Sequence, residues 1–231
     1  MVKGATSGTA AYERLRDAIV RLELAPGAGV SEAQLVDGFG FSKAAVRAAL
    51  ARLRAEGLVV AEPRRGHVIA PLTMRDVLEI YDLRLLLEPP ATEAAAGQMD
   101  ADKLARLQTL AEPAVDFDDA GSVQRFLSAN RTIHLAIAEA AGNRRTARIL
   151  ERLLDDSERA RLVALRAGAG GRGVRAREEL QRVLAALAKG DGPRAAQLMA
   201  EAIRTFRDEL VASLQRAALD VPISGLAPAS A

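Results

Sequence analysis

Apolar residues recur along the chain at two spacings, and the switch between them marks out its parts. Tyr12, Leu15, Ile19 and Leu22 fall every three or four residues, the stripe of an amphipathic helix predicted over Thr9 to Leu24 and ended by Pro26-Gly27. Leu35 and Val36 give the apolar side of a short helix, and Val46, Leu50 and Leu53, at i, i+4 and i+7, that of a second. From Leu58 to Ala70 the period shortens to two, broken at Pro63-Arg64-Arg65-Gly66, which reads as a β-hairpin. After Thr73 helical spacing returns and holds to Ala218, with helices predicted at about 75–97, 101–115, 120–140, 144–166, 174–188 and 193–218. No strand signal follows Ala70, so this second part reads as an all-α six-helix bundle behind a mainly α unit with a small β-hairpin.

Local signals place the ends of these elements. Ser31 stands three residues before Gln34, the spacing of a capping box, and Gly38 and Gly40 flank Phe39 where the chain must turn. Ser42 caps the next helix, so two short helices joined by a tight turn give the helix-turn-helix signal. In the bundle Thr73 and Asp100 are candidate caps, Gly142-Asn143 separates two helices, Gly168 to Gly173 is a flexible break, and Pro193 suits a first turn. Pro89-Pro90 removes two N–H donors and is expected to kink or split its helix near Leu86. The expected domains are 1–72, 73–218 and a disordered tail, 219–231.

Composition narrows the function. The chain has 231 residues, no Cys and 49% hydrophobic residues, enough for two modest domains without disulfides. Its N-terminus lacks the apolar core of a signal peptide, and charges interrupt every long apolar run, which predicts a cytoplasmic protein with no membrane partner. Residues 1–72 hold ten Lys and Arg against seven Asp and Glu, while the remainder holds 22 against 23, so attraction to phosphate belongs to the first third. Lys43 and Arg47 lie off the apolar stripe near the positively polarised start of the second short helix. That end enters the major groove in helix-turn-helix proteins, and the hairpin tip, with Arg64, Arg65 and Gly66, forms a wing for the minor groove. Double-stranded DNA is the implied partner. An enzyme is disfavoured: there is no Cys, the two His are far apart, no Gly-rich phosphate loop occurs, and Asp118-Asp119, Asp155-Asp156 and Glu178-Glu179 read as solvated helix faces or ends.

These residues carry a family resemblance. AYERLRDAIVRLELAPGAGVSEAQL, SKAAVRAALARLRAEGLVV and PRRGHVIAPL resemble the winged helix of GntR-type bacterial transcriptional regulators over about residues 10 to 72. The resemblance implies DNA contacts from Ser42, Lys43, Arg47, Arg64, Arg65 and Gly66. Ala33, where relatives usually have Arg, and Ala44 and Ala45, where Thr and Pro are commoner, leave fewer polar groups for base edges. The second part resembles the FCD domain of the FadR subfamily through Tyr81-x-x-Arg84-x-x-x-Glu88, His134, Ala140-Ala141-Gly142-Asn143, Glu179, Leu187, Gly190-Asp191 and Met199. Six helices look closer to the VanR-like branch. The resemblance implies a homodimer that represses from a palindromic operator and lets go when a small metabolite enters the bundle. Such an effector would tilt the first bundle helix, and the short linker at Pro71 to Thr73 would pass the tilt on.

Many FCD domains hold a divalent metal through one Asp and three His. Those positions fall here on Asn130, His134, Leu180 and Ala202, and two of the four have no donor atom, so no metal and no cofactor is expected. The vacated pocket would be more apolar and suited to an effector held by Arg84, Asn130 and His134. Arg84 reads either as the anchor of a carboxylate or as a structural partner of Glu88, one turn on. His134 reads either as a hydrogen-bonded histidine of the bundle or as a donor to the effector. The alternative function is a DNA-binding regulator without a ligand response, its bundle serving only dimerisation.

Overall fold

The structure, a computed structural model, describes residues 7–62, 66–112, 115–116, 119–166 and 173–220. It divides into two units, Met1–Thr73 and Met74–Ala231. The first runs through helix α1 (Ser7–Val20), strand β1 (Gly29–Val30), helices α2 (Glu32–Phe39) and α3 (Lys43–Ala55), and strands β2 (Val59–Glu62) and β3 (Gly66–Ile69). Its core joins Tyr12, Leu15 and Ile19 of α1 to Val46, Leu50 and Leu53 of α3, with Leu35, Val59 and Ile69 closing the sides. Burying each such large apolar side chain is worth about 1.5–3 kcal/mol, which makes this stripe-on-stripe contact the main source of the unit's stability.

The caps form as the sequence predicts. Gln34 N–H donates to Ser31 Oγ at 3.2 Å while Ser31 N–H donates to Gln34 Oε1 at 2.9 Å, and Gly40 ends α2 at φ 72°. Ser42 Oγ accepts the N–H of Ala45 at 3.3 Å to start α3. On α1 the Tyr12 hydroxyl donates to Glu56 Oε2 at 2.8 Å, under the Arg52 guanidinium 3.5 Å from the ring centre.

Two features of this unit differ from expectation. Helix α1 stops at Val20 rather than Leu24, because Leu22 turns into the left-handed region at φ 60° and stays buried, with Leu24 N–H donating back to Ala18 O at 3.0 Å. A branched side chain holds that conformation when packing fixes it. The hairpin is joined by a third strand, giving an antiparallel sheet in the order β1-β3-β2 with Val30 opposite His67 and Val60 opposite Val68. A two-residue strand shows no periodicity, so β1 is silent in the sequence.

The second unit contains six helices among the described residues: α4 (Met74–Ala95), α5 (Ala101–Leu110), α6 (Ala120–Ala140), α7 (Arg144–Arg166), α8 (Gly173–Ala188) and α9 (Gly192–Asp220). Helix α4 packs against α6, α7 and α9. Its buried face follows helical spacing through Val77, Ile80, Tyr81, Arg84, Glu88, Ala91 and Ala95, so two charged residues stand on a core stripe. Helix α4 is not split at Pro89-Pro90. The carbonyls those prolines leave without helical donors belong to Leu85 and Leu86, residues that are half-buried and exposed.

Asp100 caps α5 by accepting Lys103 N–H at 2.6 Å, and Asn143 Oδ1 caps α7 by accepting the N–H groups of Arg145 and Thr146. Helix α5 ends at Leu110 rather than 115, short of Pro113, which disfavours helical backbone in the residue before it. Helix α9 reaches Asp220, two residues past the predicted end. Of the expected break at Gly168 to Gly173, residues 168–172 lie outside the described residues, as do residues 221–231 of the expected tail. Among the described residues no helix is long and apolar enough to cross a membrane.

Candidate DNA-binding surface and effector cavity

On the first unit, burial of Ala45, Val46, Ala49, Leu50 and Leu53 turns the opposite side of α3 outward, so Lys43, Ala44, Arg47, Ala48 and Arg54 are exposed or nearly so. Lys43 and Arg47 are one turn apart at the start of the helix. Arg47 is 61% exposed, and its Nε donates to Glu32 of α2 at 2.8 Å, an ion pair that ties the two helices of the motif together. Such an exposed pair is worth at most about 1 kcal/mol. Ser42 spends its hydroxyl on the cap. Gly66 opens β3 at φ 75°, a conformation that favours glycine, and pairs with Glu62; Arg64 and Arg65 lie outside the described residues.

In the second unit one cavity gathers Arg84, Asn130, His134, Leu180 and Ala202, residues of α4, α6, α8 and α9 that are far apart in sequence. Tyr81, Ser157, Arg161, Glu179 and Phe206 share its wall. About 50 Å³ is open to the centres of water molecules, room for a few waters or a small acid. Glu88 organises one side, accepting from Arg84 Nε at 2.5 Å and contacting His134 Nδ1. Arg84 Nη1 donates to Ser157 Oγ at 3.3 Å, and Ser157 donates onward to the Leu153 carbonyl at 2.8 Å. Burial alone would raise the Glu88 carboxyl; the Arg84 guanidinium and His134 outweigh it and hold the pKa at about 2. Arg84 shifts upward, the ion pair with Glu88 outweighing burial.

A second structure in the cavity is a column of rings and cations. The Arg84 guanidinium lies 5.2 Å from the Tyr81 ring centre, Tyr81 stacks with Phe206 at 5.9 Å, and the Arg161 guanidinium lies 3.7 Å from Phe206 and 5.0 Å from Phe126. Burial pulls the Arg161 pKa down to about 10.

Both parts of this arrangement match known families. Residues 8–69 match the bacterial regulatory proteins of the gntR family, and residues 79–205 match the FCD domain. The chain belongs to the FCD-domain regulators of the GntR family. The HTH-type transcriptional regulator YdhC of Bacillus subtilis (strain 168) is 30% identical to this regulator over 145 residues, 62% of this chain and just under two thirds, 65%, of its own. The HTH-type transcriptional repressor GlaR of Escherichia coli (strain K12) is 25% identical over 159 residues, 67% of this chain and 72% of that one. In fold, the E. coli McbR/YncC structure is similar with a TM-score of 0.74 at 21% identity, covering 92% of this chain and 99% of that one. The family and these relatives are transcriptional regulators, not enzymes.

The FCD resemblance implies a metal, and the residues at its ligand positions do not fit one. Leu180 and Ala202 offer hydrocarbon, Asn130 a neutral amide, and Glu88 is engaged by Arg84 and His134. Three guanidinium groups in the same wall oppose a divalent cation. The regulator also corrects two expectations: Asp155, held by Arg131 Nε at 2.5 Å, and Glu179 are buried rather than solvated. Sequence reasoning passed over Ser157 and Arg161, yet a signal was there. Leu150, Leu154, Ser157, Arg161 and Ala164 fall at i, i+4, i+7, i+11 and i+14, so both polar residues continue a core stripe.

Proposed function

We propose that this regulator is a repressor that binds a palindromic operator as a homodimer and is released by a small molecule held in the cavity of its helical unit. The observation that carries this reading is a capped helix-turn-helix with Lys43 and Arg47 turned outward, in the same chain as a cavity lined by Arg84, Asn130 and His134. On DNA, Arg47 exchanges Glu32 for a phosphate or a guanine edge, Lys43 and Ser42 flank it, and Arg64, Arg65 and Gly66 reach the minor groove. GlaR, named a repressor, supports the negative sign. Six helices among the described residues of the second unit favour the VanR-like branch of the FadR subfamily. Leu83 and Leu86 of α4 and Ile149 of α7 are exposed apolar residues suited to a partner copy. Because α4 starts one residue after Thr73 and carries Tyr81 and Arg84, ligand-linked movement of α4 has a direct covalent route to the DNA-binding unit.

The test is a mobility-shift titration on DNA selected by the wild-type chain from a random pool. Arg47→Ala is expected to weaken binding by about 1–3 kcal/mol and to relax base preference. Wild-type affinity in a variant with an unchanged circular-dichroism spectrum would remove Arg47 from the interface.

A further inference from the structure

Three arginines line the cavity, and they differ in what they already hold. Arg84 is committed to Glu88 and Ser157, and Arg131 to Asp155 at 2.5 Å and Glu151 at 3.5 Å. Arg161 makes no hydrogen bond or ion pair with the described residues; its contacts are with the rings of Phe206 and Phe126. Glu158, on the same wall, and Glu209 are near enough to favour its charge, but burial outweighs them.

We propose that Arg161 is the anion-binding residue of this cavity, receiving one carboxylate on the open edge of its guanidinium in place of a metal ion. The proposal rests on the reading of the cavity as an effector site. Aromatic rings attract the charge of a guanidinium but offer its N–H donors no oxygen acceptor; a carboxylate supplies one, and fits the guanidinium fork with two parallel hydrogen bonds. Phe206 and Phe126 fix the orientation before any ligand arrives, which lowers the ordering cost of binding. The ligand class follows from size and charge. One uncommitted cation matches one carboxylate, and about 50 Å³ admits a short carbon chain. Asn130 and the Nε2 of His134, neither bonded to a described residue, remain to hold a hydroxyl or keto oxygen.

The experiment is a set of melting curves of the full chain with sodium acetate, pyruvate or lactate at about 20 mM, against sodium chloride at equal ionic strength and against zinc chloride. Expected is a rise of about 2–5 °C for the wild type with at least one monocarboxylate and none with chloride or zinc. Arg161→Met, which keeps an apolar stem between the rings, should abolish the rise. Arg161→Lys, which keeps the charge but not the fork, should weaken binding about tenfold or more by calorimetric titration, and it decides the matter should the Met variant not fold. No rise with any of the acids, a rise that survives Arg161→Met, unchanged affinity in Arg161→Lys, or stabilisation by zinc would each overturn the proposal. DNA binding by the wild-type chain without added acid tests the regulator reading separately: its failure would remove that reading and leave the anion site standing.

Discussion

Glu88 is the residue on which the inner wall of the helical unit depends, because it answers two groups at once, Arg84 and His134. Its carboxyl ionises at about 2 in the folded chain against an ordinary value of 4.5. A depressed carboxyl contributes stability that is fully present above the unfolded value and fades as pH falls through the folded one. Urea midpoints of the wild type are therefore expected to drop between pH 4.5 and 2, and Glu88→Gln to lose much of that slope while costing about 3–5 kcal/mol at pH 7, where Arg84 is left buried without its counter-charge. Equal slopes for the two proteins in that window would show that Glu88 is not the group responsible. The Arg84–Glu88 pair was legible in the sequence as an i, i+4 spacing, one of two readings open for Arg84. The bond to His134 was not, since it joins residues 46 apart on different helices and no local pattern records it.

Among elements, the caps and stripes carried most of what the sequence could tell. The Ser31–Gln34 box, Ser42, Asp100 and Asn143 act on neighbours a few residues away, so their spacing is their geometry. Elements decided by distant contacts were misread: α1 ends early because Leu22 is buried by the core, and β1 exists because β3 offers it an edge. The approach of α9 to α4 is another such contact. A Cβ on Gly192 would sit 2.9 Å from the Glu93 carbonyl oxygen, closer than real contacts allow. Gly192→Ala is thus expected to destabilise the helical unit by about 1–3 kcal/mol through a forced shift between the helices, measured as a lower urea midpoint with an unchanged slope. A variant as stable as the wild type would mean that the two helices separate at no cost.

For the molecule as a whole, the proposal of a homodimer has a simple arithmetic. One recognition helix and one wing supply few base contacts, and two copies on a palindrome add their free energies while the association cost enters once. Sedimentation equilibrium at micromolar concentration should give twice the 24.5 kDa of the chain, and a monomer that still protects a palindromic site would refute the arrangement. The division of charge between the first 72 residues and the rest was visible without coordinates and points binding to the first unit. What lines the cavity was only partly visible, since Asn130, His134, Leu180 and Ala202 were found by family spacing, whereas Arg161 and Phe206 meet through packing of α7 and α9.

The placement of the two tyrosines gives the regulator a pair of built-in optical reporters. The chain has no Trp and two Tyr, one in each unit: Tyr12 beside the Glu56 carboxylate, and Tyr81 stacked on Phe206 in the cavity wall. Near-ultraviolet emission therefore comes from phenols alone, and a Tyr12→Phe chain emits only from the cavity. Occupation of the cavity and melting of each unit become separate spectroscopic events, readable without a label.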